Sequence, residues 1–300
     1  MRVVAVINRK GGSGKSTLAT HLAGYCARQG LKVMLGDVDR QQSSLAWLKR
    51  RAEQPVAQGA PVVGWAVDPR SVLRPPAGIS HVVIDTPGGL RDSELARVVM
   101  YADMIVMPVC HSLFDRESAA ACYEELHTLP RVASGRCKVA MVGMRLDART
   151  KAAEQMVEWA AQANFPYLGA LRETQAYVRC VEQGATLFDL PPAKVEADLA
   201  QWKPILAWVE KAWQEAAKAD VVARAAARMT APQGAMPAAA APAAVVRAAP
   251  ARAGTAVTRG VQTGDPFGNR PTSPLIKVSS GERGIAGRIG RLFGVFKSSG

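Results

Sequence analysis

Residues 8–17 combine glycines, lysines and hydroxyl side chains in a spacing that suits phosphate binding. The run reads Asn-Arg-Lys-Gly-Gly-Ser-Gly-Lys-Ser-Thr and lies between an apolar segment and an amphipathic one. Glycines let a backbone turn its N–H groups inward around an anion, and the N-terminus of a following helix adds positive potential. We therefore predict a phosphate loop. The residues assigned to it are Gly11, Gly12, Ser13, Gly14, Lys15, Ser16 and Thr17.

Three side chains of this loop have distinct predicted contacts. The Lys15 amine is expected to reach the β- and γ-phosphates of a nucleotide, and the Ser16 hydroxyl to ligate Mg²⁺. Thr17 is placed to donate a hydrogen bond to phosphate. The loop thus predicts ATP and Mg²⁺ as cofactors. The usual motif has glycine six residues before its lysine, but Arg9 stands there and Lys10 follows it.

Acidic residues end two further apolar segments. Asp37 and Asp39 close the run Val-Met-Leu-Gly-Asp-Val-Asp, and Asp85 closes the run His-Val-Val-Ile-Asp. Carboxylates at the carboxyl edge of parallel strands, beside a phosphate loop, lie where Mg²⁺ and a water molecule are needed. Asp37 is assigned to the cofactor site because it lies at the strand end nearer the metal. Judged from their own segment alone, Asp37 and Asp39 could equally be ordinary loop acids.

The elements that must position these residues follow from the apolar pattern. Short β-branched segments alternate with helical patterns, which predicts an α/β fold with a doubly wound, mostly parallel sheet and the nucleotide at the carboxyl edge of its strands. The predicted strands are Arg2–Asn8, Lys32–Asp37, Pro61–Val67, His81–Asp85, Asp103–Pro108 and Lys138–Met144, with a seventh before Arg172. The predicted helices are residues 15–29, Thr150–Asn164, Thr174–Gln183 and Pro192–Lys218.

Composition divides the chain into three parts. Residues 1–218 alternate apolar with charged side chains and are predicted to fold as the nucleotide-binding domain. Residues 219–281 are rich in Ala, Pro and Gly and are predicted to be a disordered linker, because they cannot bury enough apolar surface to offset their ordering entropy. Residues 282–300 form a short basic amphipathic segment. From residue 220 onward, eleven Lys or Arg stand against three Asp or Glu, so most of the formal charge of +13 lies in this tail and favours an anionic partner.

Several classes of protein are disfavoured by composition. None of the five cysteines belongs to a Cys-x-x-Cys pair, which argues against a disulfide framework or a zinc site and fits a reducing cytosol. The longest apolar run, residues 98–110, is interrupted by Asp103 and is too short for a bilayer span. The N-terminus leads directly into the phosphate loop, so we expect no signal peptide.

The string Lys-Gly-Gly-x-Gly-Lys-Ser-Thr, which begins at Lys10, resembles the deviant phosphate loop of the ParA/MinD family of deviant Walker A ATPases. In that family the signature lysine, here Lys10, reaches across a sandwich dimer to the nucleotide bound by the partner. Residues 33–42 look like the family's second acidic motif, whose second aspartate, here Asp39, lies beside the attacking water. Residues 81–89 look like its Walker B strand, which implies that Asp85 holds Mg²⁺ through a water and that the Thr-Pro-Gly-Gly turn senses the γ-phosphate.

The resemblance covers residues 1–218 and implies a function for them. Its catalytic residues would be Lys10, Lys15 and Asp39, and its metal ligands Ser16 and Asp85. The implied protein is an ATP-dependent dimerising switch ATPase with slow, partner-stimulated hydrolysis. It positions or partitions a plasmid, a chromosome or a protein cluster, with nonspecific DNA or another surface as its matrix. The implied partners are a second copy when ATP is bound, DNA, and an ATPase-stimulating protein, and the implied location is the cytoplasm, at the nucleoid or the inner membrane.

Basic residues around the predicted seventh strand are candidates for nonspecific DNA contacts, since phosphate contacts tolerate any sequence. Each of them alone is more often a solvated surface cation. The candidates are Arg145, Arg149, Arg172, Arg179 and Lys203.

The segment 285–297 supports an alternative function. As a helix it would carry one apolar stripe flanked by basic side chains, which is typical of a membrane-surface helix and resembles the membrane-targeting helix that closes MinD proteins. The alternative is therefore a MinD-like membrane-surface regulator of division, flagella or polysaccharide export. Docking to a protein partner and contact with DNA stay open for the same segment. Electron transfer of the nitrogenase type and small-molecule synthesis, which occur on related folds, are disfavoured by the scattered cysteines and by Lys10.

Overall fold

The computed structural model describes residues 1–66, 76–147 and 149–230. Within them, seven strands form one sheet in which every neighbouring pair is parallel. In chain order the strands are β1 (Arg2–Val6), β2 (Val33–Asp37), β3 (Val62–Ala66), β4 (His81–Asp85), β5 (Met104–Val109), β6 (Lys138–Met144) and β7 (Tyr167–Leu171). Across the sheet their order is β3-β2-β4-β1-β5-β6-β7. The helices described are α1 (Lys15–Arg28), α2 (Ser43–Ala52), α3 (Val56–Gly59), α4 (Asp92–Tyr101), α5 (Leu113–Thr128), α6 (Pro130–Ala133), α7 (Lys151–Gln162), α8 (Gln175–Glu182) and α9 (Pro192–Thr230).

Two apolar cores lie on the two faces of the sheet. In β1, Val3 and Ala5 belong to one core and Val4 and Val6 to the other, because successive side chains of a strand point to opposite faces. Helices α4, α5 and α7 contribute to the first core, and α1, α2, α8 and α9 to the second. Since helices cover both faces, the central strands are apolar throughout, as is usual in parallel sheets.

The predicted fold class is confirmed, and the sheet is entirely parallel. Each predicted strand matches an observed one to within two residues at either end. The seventh strand is β7, which ends immediately before Arg172. Helices α2 to α6 are not among the predicted helices.

The helix end predicted at Lys218 is wrong, because α9 continues to Thr230. Residues 214–228 contain many alanines and neither Pro nor Gly, so their helix propensity is high. An ion pair of 2.8 Å between Arg2 and Asp220 also ties this part of the helix to the sheet. The helix spans 39 residues with a kink at Val195, whose φ of −137° and ψ of 22° are not helical. No helix in the described part of the chain is apolar enough over a sufficient length to cross a bilayer. The rest of the predicted linker and the basic C-terminal segment lie outside the described residues.

A buried ion pair holds α2 against the segment that follows α8. The Arg51 guanidinium donates hydrogen bonds to both carboxylate oxygens of Asp189, at 2.8 and 3.3 Å, and to the carbonyls of Gly184 and Ala60. Burial alone would raise the pKa of Asp189, but the hydrogen bonds and charge of Arg51 outweigh it and hold that pKa below its usual range. The Trp47 ring packs against the same guanidinium, 5.2 Å away. The position of α2 is therefore fixed, and its first residues belong to the site described below.

Gly184→Ala is predicted to destabilise the protein by about 3 kcal/mol, because overpacking and a strained backbone each cost about 1–3 kcal/mol. Gly184 has φ +66°, and a Cβ there would lie 2.2 Å from the backbone nitrogen of Arg51. Gly135 is a matched control with φ +71° and open space around it, so Gly135→Ala should cost only about 1 kcal/mol of backbone strain. Urea unfolding followed by tryptophan fluorescence measures both. Equal losses in the two variants would contradict the tight contact with α2.

Candidate nucleotide-binding site

The strand register brings the predicted loop and the predicted acids to one edge of the sheet. The loop leaves the carboxyl end of β1, which lies between β4 and β5. Val6, the last residue of β1, pairs with Asp85, the last residue of β4, and Asp85 pairs with Asp37, the last residue of β2. The carboxyl edge of the sheet therefore presents a glycine loop beside two aspartates, in the crevice where open α/β sheets bind ligands.

Asn8 fixes the base of the loop. Its buried side chain donates from Nδ2 to the carbonyl of Pro108 at 2.6 Å, and its Oδ1 accepts the N–H of Lys10 at 3.1 Å. Farther along, Gly14 has φ +91°, and a Cβ there would lie 2.8 Å from Met144 Cε. Glycine at this position thus meets both a backbone and a steric requirement. Helix α1 begins at the next residue, so its N-terminus faces the loop.

The loop contains polar groups that lack protein partners. The buried Lys15 donates from Nζ to the carbonyl of Lys10 at 2.8 Å. Within the described residues this is the one hydrogen bond of the Lys15 amine. Burial lowers the pKa of Lys15, while the charges of Asp85 and Asp39 oppose that change. The Ser13 hydroxyl is buried and has no partner among the described residues. An ammonium group has three donors, so both side chains fit a site that a bound anion would complete.

Ser44, the second residue of α2, lies between the two strand-end aspartates. Its hydroxyl is 2.9 Å from Asp37 Oδ2 and 2.6 Å from Asp85 Oδ2. Asp37 also accepts the backbone N–H groups of Ser44 and Leu45, at 3.0 and 3.2 Å, and that of Asp39 at 3.0 Å. Both oxygens of Asp37 thus hold the start of α2 and its preceding turn, and Asp37 does not line the cavity over the loop. The contacts described for Asp37 are thus with α2 and the turn before it, and its assignment to the cofactor site stays a prediction.

Asp85 keeps one carboxylate oxygen unpaired. The side chain is fully buried, and its Oδ1 has no partner among the described residues. Burial raises the pKa of Asp85 to about 6, against the effect of hydrogen bonds from Ser44 and Ser16. An unpaired carboxylate oxygen beside a serine hydroxyl suits a hard cation or a water bound to one. The residues present therefore fit Mg²⁺.

Two adjoining cavities lie at this edge. The first, of about 510 Å³, is lined by the phosphate loop together with residues that follow β2 and β4, including Asp39. The second, of about 320 Å³, is mostly apolar, with Met144, Leu171 and Tyr177 in its lining. Both cavities include Gly14, Thr17 and Arg145. A polar cavity that shares lining residues with a mostly apolar one has the character expected of a site for phosphates and a nucleoside.

The segment 86–92, which follows β4 and ends with the first residue of α4, runs along the phosphate loop. The N–H of Gly89 donates to the carbonyl of Arg9 at 2.8 Å. A Cβ at Gly88 would lie 3.4 Å from the Cα of Gly11, which is close van der Waals contact. The segment predicted to sense the γ-phosphate therefore packs directly against the loop.

Lys10 and Asp39 both lie at the carboxyl edge of the sheet, where the first cavity is, but they differ in burial. Lys10 is exposed, and its amine has no hydrogen bond or ion pair within the described ranges. Asp39 is half-buried and accepts the N–H of Gln41 on Oδ1 at 3.0 Å. Asp39 can reach a molecule in the cavity, while Lys10 is free to reach outward.

The five predicted DNA-contact residues do not share one environment. Arg145 lines both cavities, and Arg172 lines the second one. Arg172 is also paired, at 2.6 Å, with a buried aspartate of α9. Arg145 is exposed, as are Arg149, Arg179 and Lys203, which line neither cavity.

Comparison with known proteins decides the family. The family model for the CobQ/CobB/MinD/ParA nucleotide binding domain matches residues 4–187, more than half of the chain. The chain belongs to this family. It is 29% identical over 223 residues to the maintenance of carboxysome distribution protein A of Gloeobacter kilaueensis, across 71% of this chain and 96% of that protein. A 67-residue stretch is 45% identical to the chromosome-partitioning ATPase Soj of Thermus thermophilus, which is 21% of this chain and 27% of Soj.

Solved structures support the same fold. An ATP complex of McdA from Cyanothece matches with a TM-score of 0.51 and 15% identity, over 71% of this chain and 96% of that one. A plasmid partition protein of Borrelia burgdorferi B31 bound to AMPPNP matches with a TM-score of 0.53 and 16% identity, over 69% of this chain and 98% of that one. At this level of identity the likeness shows the fold alone.

Two residues that shape the site are absent from the set predicted from sequence. Asn8 could be found from its position, since a lone amide at the end of an apolar strand must find a partner when buried. Ser44 carries no comparable local signal, because its role depends on the pairing of β2 with β4.

Asp85→Asn is predicted to stabilise the nucleotide-free protein by up to about 3 kcal/mol near neutral pH. A carboxyl whose folded pKa is raised contributes stability below its unfolded pKa, and loses that contribution as the pH rises through about 6. Asparagine does not titrate and so avoids this loss. The variant and the unaltered chain should therefore have the same free energy of unfolding once the pH falls to about 4. Urea unfolding across this range in magnesium-free buffer measures it. A difference independent of pH would contradict a titration at Asp85.

Proposed function

We propose that this chain is an ATP-dependent dimerising switch ATPase of the ParA/MinD type, which positions or partitions cargo by binding and releasing a DNA surface. The observation that carries the proposal is the convergence of Lys15, Ser16, Asp39 and Asp85 at one sheet edge, next to an exposed Lys10. Family membership supports nucleotide binding by this edge.

Each of these residues has a role in the proposed site. Lys15 and the loop N–H groups would bind the β- and γ-phosphates, and the apolar cavity beside Tyr177 would take the nucleoside. Ser16, and Asp85 through a water, would hold Mg²⁺, which supplies neutralisation of phosphate charge. Asp39 would orient the attacking water. Asp37, in this arrangement, acts by anchoring α2.

Lys10 is the proposed link between subunits. It is exposed and unpaired in the described part of the chain, although it lies next to a loop built for anions. In the proposed dimer its amine contacts the partner's bound nucleotide, so ATP stabilises the dimer and slow hydrolysis, stimulated by a partner protein, releases it.

The proposed cargo class and matrix rest on the relatives. Their names describe carboxysome distribution and chromosome partitioning, which supports a positioning role here. Of the DNA candidates, Arg149, Arg179 and Lys203 are exposed and line neither cavity, and they carry the proposed phosphate contacts. Arg145 and Arg172 line the cavities proposed for the nucleotide, so the proposed phosphate contacts to DNA do not include them.

The dimer is tested by gel filtration of the full chain with ATP and Mg²⁺. Asp39→Ala should accumulate as a dimer, because binding is kept and hydrolysis is slowed. Lys15→Ala should stay monomeric because it no longer binds the phosphates. Lys10→Ala should bind ATP yet remain monomeric, and this result would separate the contact between subunits from nucleotide binding. A dimer of Lys10→Ala that forms as readily as that of the unaltered chain would rule out the proposed contact.

The DNA matrix is tested by the salt dependence of binding to random-sequence duplex with a non-hydrolysable ATP analogue. Removing Arg149, Arg179 and Lys203 by alanine substitution should weaken binding and reduce the salt slope by about 0.9 for each lost phosphate contact. The control removes Lys32 and Arg136, two exposed cations that precede β2 and β6 at the opposite edge, and should leave the slope unchanged.

The same experiment separates DNA from membrane. Deletion of residues 282–300, which lie outside the described residues, should leave DNA binding in place if the exposed cations carry it. Absence of DNA binding, together with co-sedimentation on acidic vesicles that this deletion abolishes, would support the membrane-surface function instead.

A further inference from the structure

Arg9 occupies the position where an ordinary phosphate loop has glycine, and its guanidinium is ion-paired with Glu125 of α5. Their side chains are only 18% and 21% exposed. Arg9 does not line the cavity over the loop, so phosphate binding does not account for its charge. The pair instead joins the loop to a helix beneath it.

The other oxygen of Glu125 binds the segment 86–92. The N–H of Asp92 donates to Glu125 Oε1 at 3.1 Å. Asp92 has φ +50°, a conformation that non-glycine residues hold only with support from their surroundings. At the other end of the segment, the N–H of Gly89 donates to the carbonyl of Arg9. The segment is thus tied to Arg9 twice, directly through the backbone and indirectly through Glu125.

We propose that Glu125 is a positioning residue, which acts through Arg9 and the N–H of Asp92 to hold the segment 86–92 where it favours ATP over ADP. Thr86 and Gly88 of this segment are in the cavity lining. A segment held in place presents its contacts to a γ-phosphate without further ordering, whereas ADP has no group to meet them. Loss of the link therefore weakens ATP binding and leaves ADP binding largely unchanged. The inference rests on the proposed function, because it takes the cavity to be an ATP site.

Glu125→Gln is the sharpest variant because one carboxylate oxygen is ion-paired with Arg9 and the other accepts the N–H of Asp92. Glutamine has nearly the same shape but offers one acceptor oxygen and one donor group. It can keep the contact with Arg9 or with the N–H of Asp92, and it turns a donor towards the other. The link is broken without a cavity in the structure.

The experiment is calorimetric titration of the full chain with ADP and, separately, with a non-hydrolysable ATP analogue, both with Mg²⁺. Glu125→Gln should lower the affinity for the ATP analogue at least about fivefold, in the range usual for coupled sites, and change the affinity for ADP less than about twofold. Arg9→Gln should do the same, and the double variant should add nothing because both changes break one link. Arg9→Lys keeps the positive charge and should therefore retain most of the preference for the ATP analogue over ADP.

Arg131→Gln is the matched control. It breaks an ion pair of 3.4 Å with Asp103, of comparable exposure at 29% and 14%, at the amino edge of β5. It should lower the free energy of unfolding and leave the ratio of the two affinities unchanged. Equal weakening of ATP and ADP binding in Glu125→Gln, or an effect on unfolding alone, would overturn the inference while the proposed function stands. If the unaltered chain bound neither nucleotide, both would fail.

Discussion

Val6, Asp85 and Asp37 end three neighbouring strands at the same level, and the rest of the site depends on that register. A shift of one residue in β2 or β4 would turn the aspartate to the opposite face of the sheet. The apolar cores on both faces prevent such a shift, because it would also expose the buried side chains of the strand. The carboxyl groups meet below the phosphate loop as a consequence of how the sheet packs.

This convergence concentrates charge in a buried place. Asp37, Asp85 and Lys15 are all buried, and burial of an incompletely paired charge is costly. The Ser44 hydroxyl has one proton and cannot satisfy both carboxylates at once. A cation near Asp85 would pair its free carboxylate oxygen, and an anion near Lys15 would accept the remaining hydrogen bonds of its amine. The same feature that destabilises the nucleotide-free protein therefore contributes to binding, while contacts elsewhere, such as the Arg51 pair, maintain the fold.

The features that could be predicted from the sequence are those that depend on local residue patterns. Apolar runs located the strands, and glycine spacing located the phosphate loop. The features that could not be predicted depend on contacts between residues far apart in the sequence. Helix α2 begins where Asp37, on the preceding strand, accepts its first N–H groups, and Ser44 gains its role only when β2 lies beside β4. The alanines after Lys218 suit a helix as well as a linker, and the contact with Arg2, from the other end of the chain, favours the helix. Only the tertiary structure shows that Arg145 and Arg172 line the cavities, whereas the other three DNA candidates do not.

Arg9 and Lys10 are consecutive in the loop yet lie in different environments. Arg9 is largely buried against α5, whereas Lys10 is exposed. In the proposed dimer, the residue that reaches the partner's nucleotide is therefore joined by one planar peptide group to the residue that ties down the segment 86–92. The peptide group keeps the two Cα atoms about 3.8 Å apart, so a displacement of the Arg9 backbone also moves that of Lys10. Movement of that segment after loss of a γ-phosphate would then shift the backbone from which the Lys10 side chain extends to the partner. Arginine in place of glycine at position 9 supplies the side chain that this coupling requires.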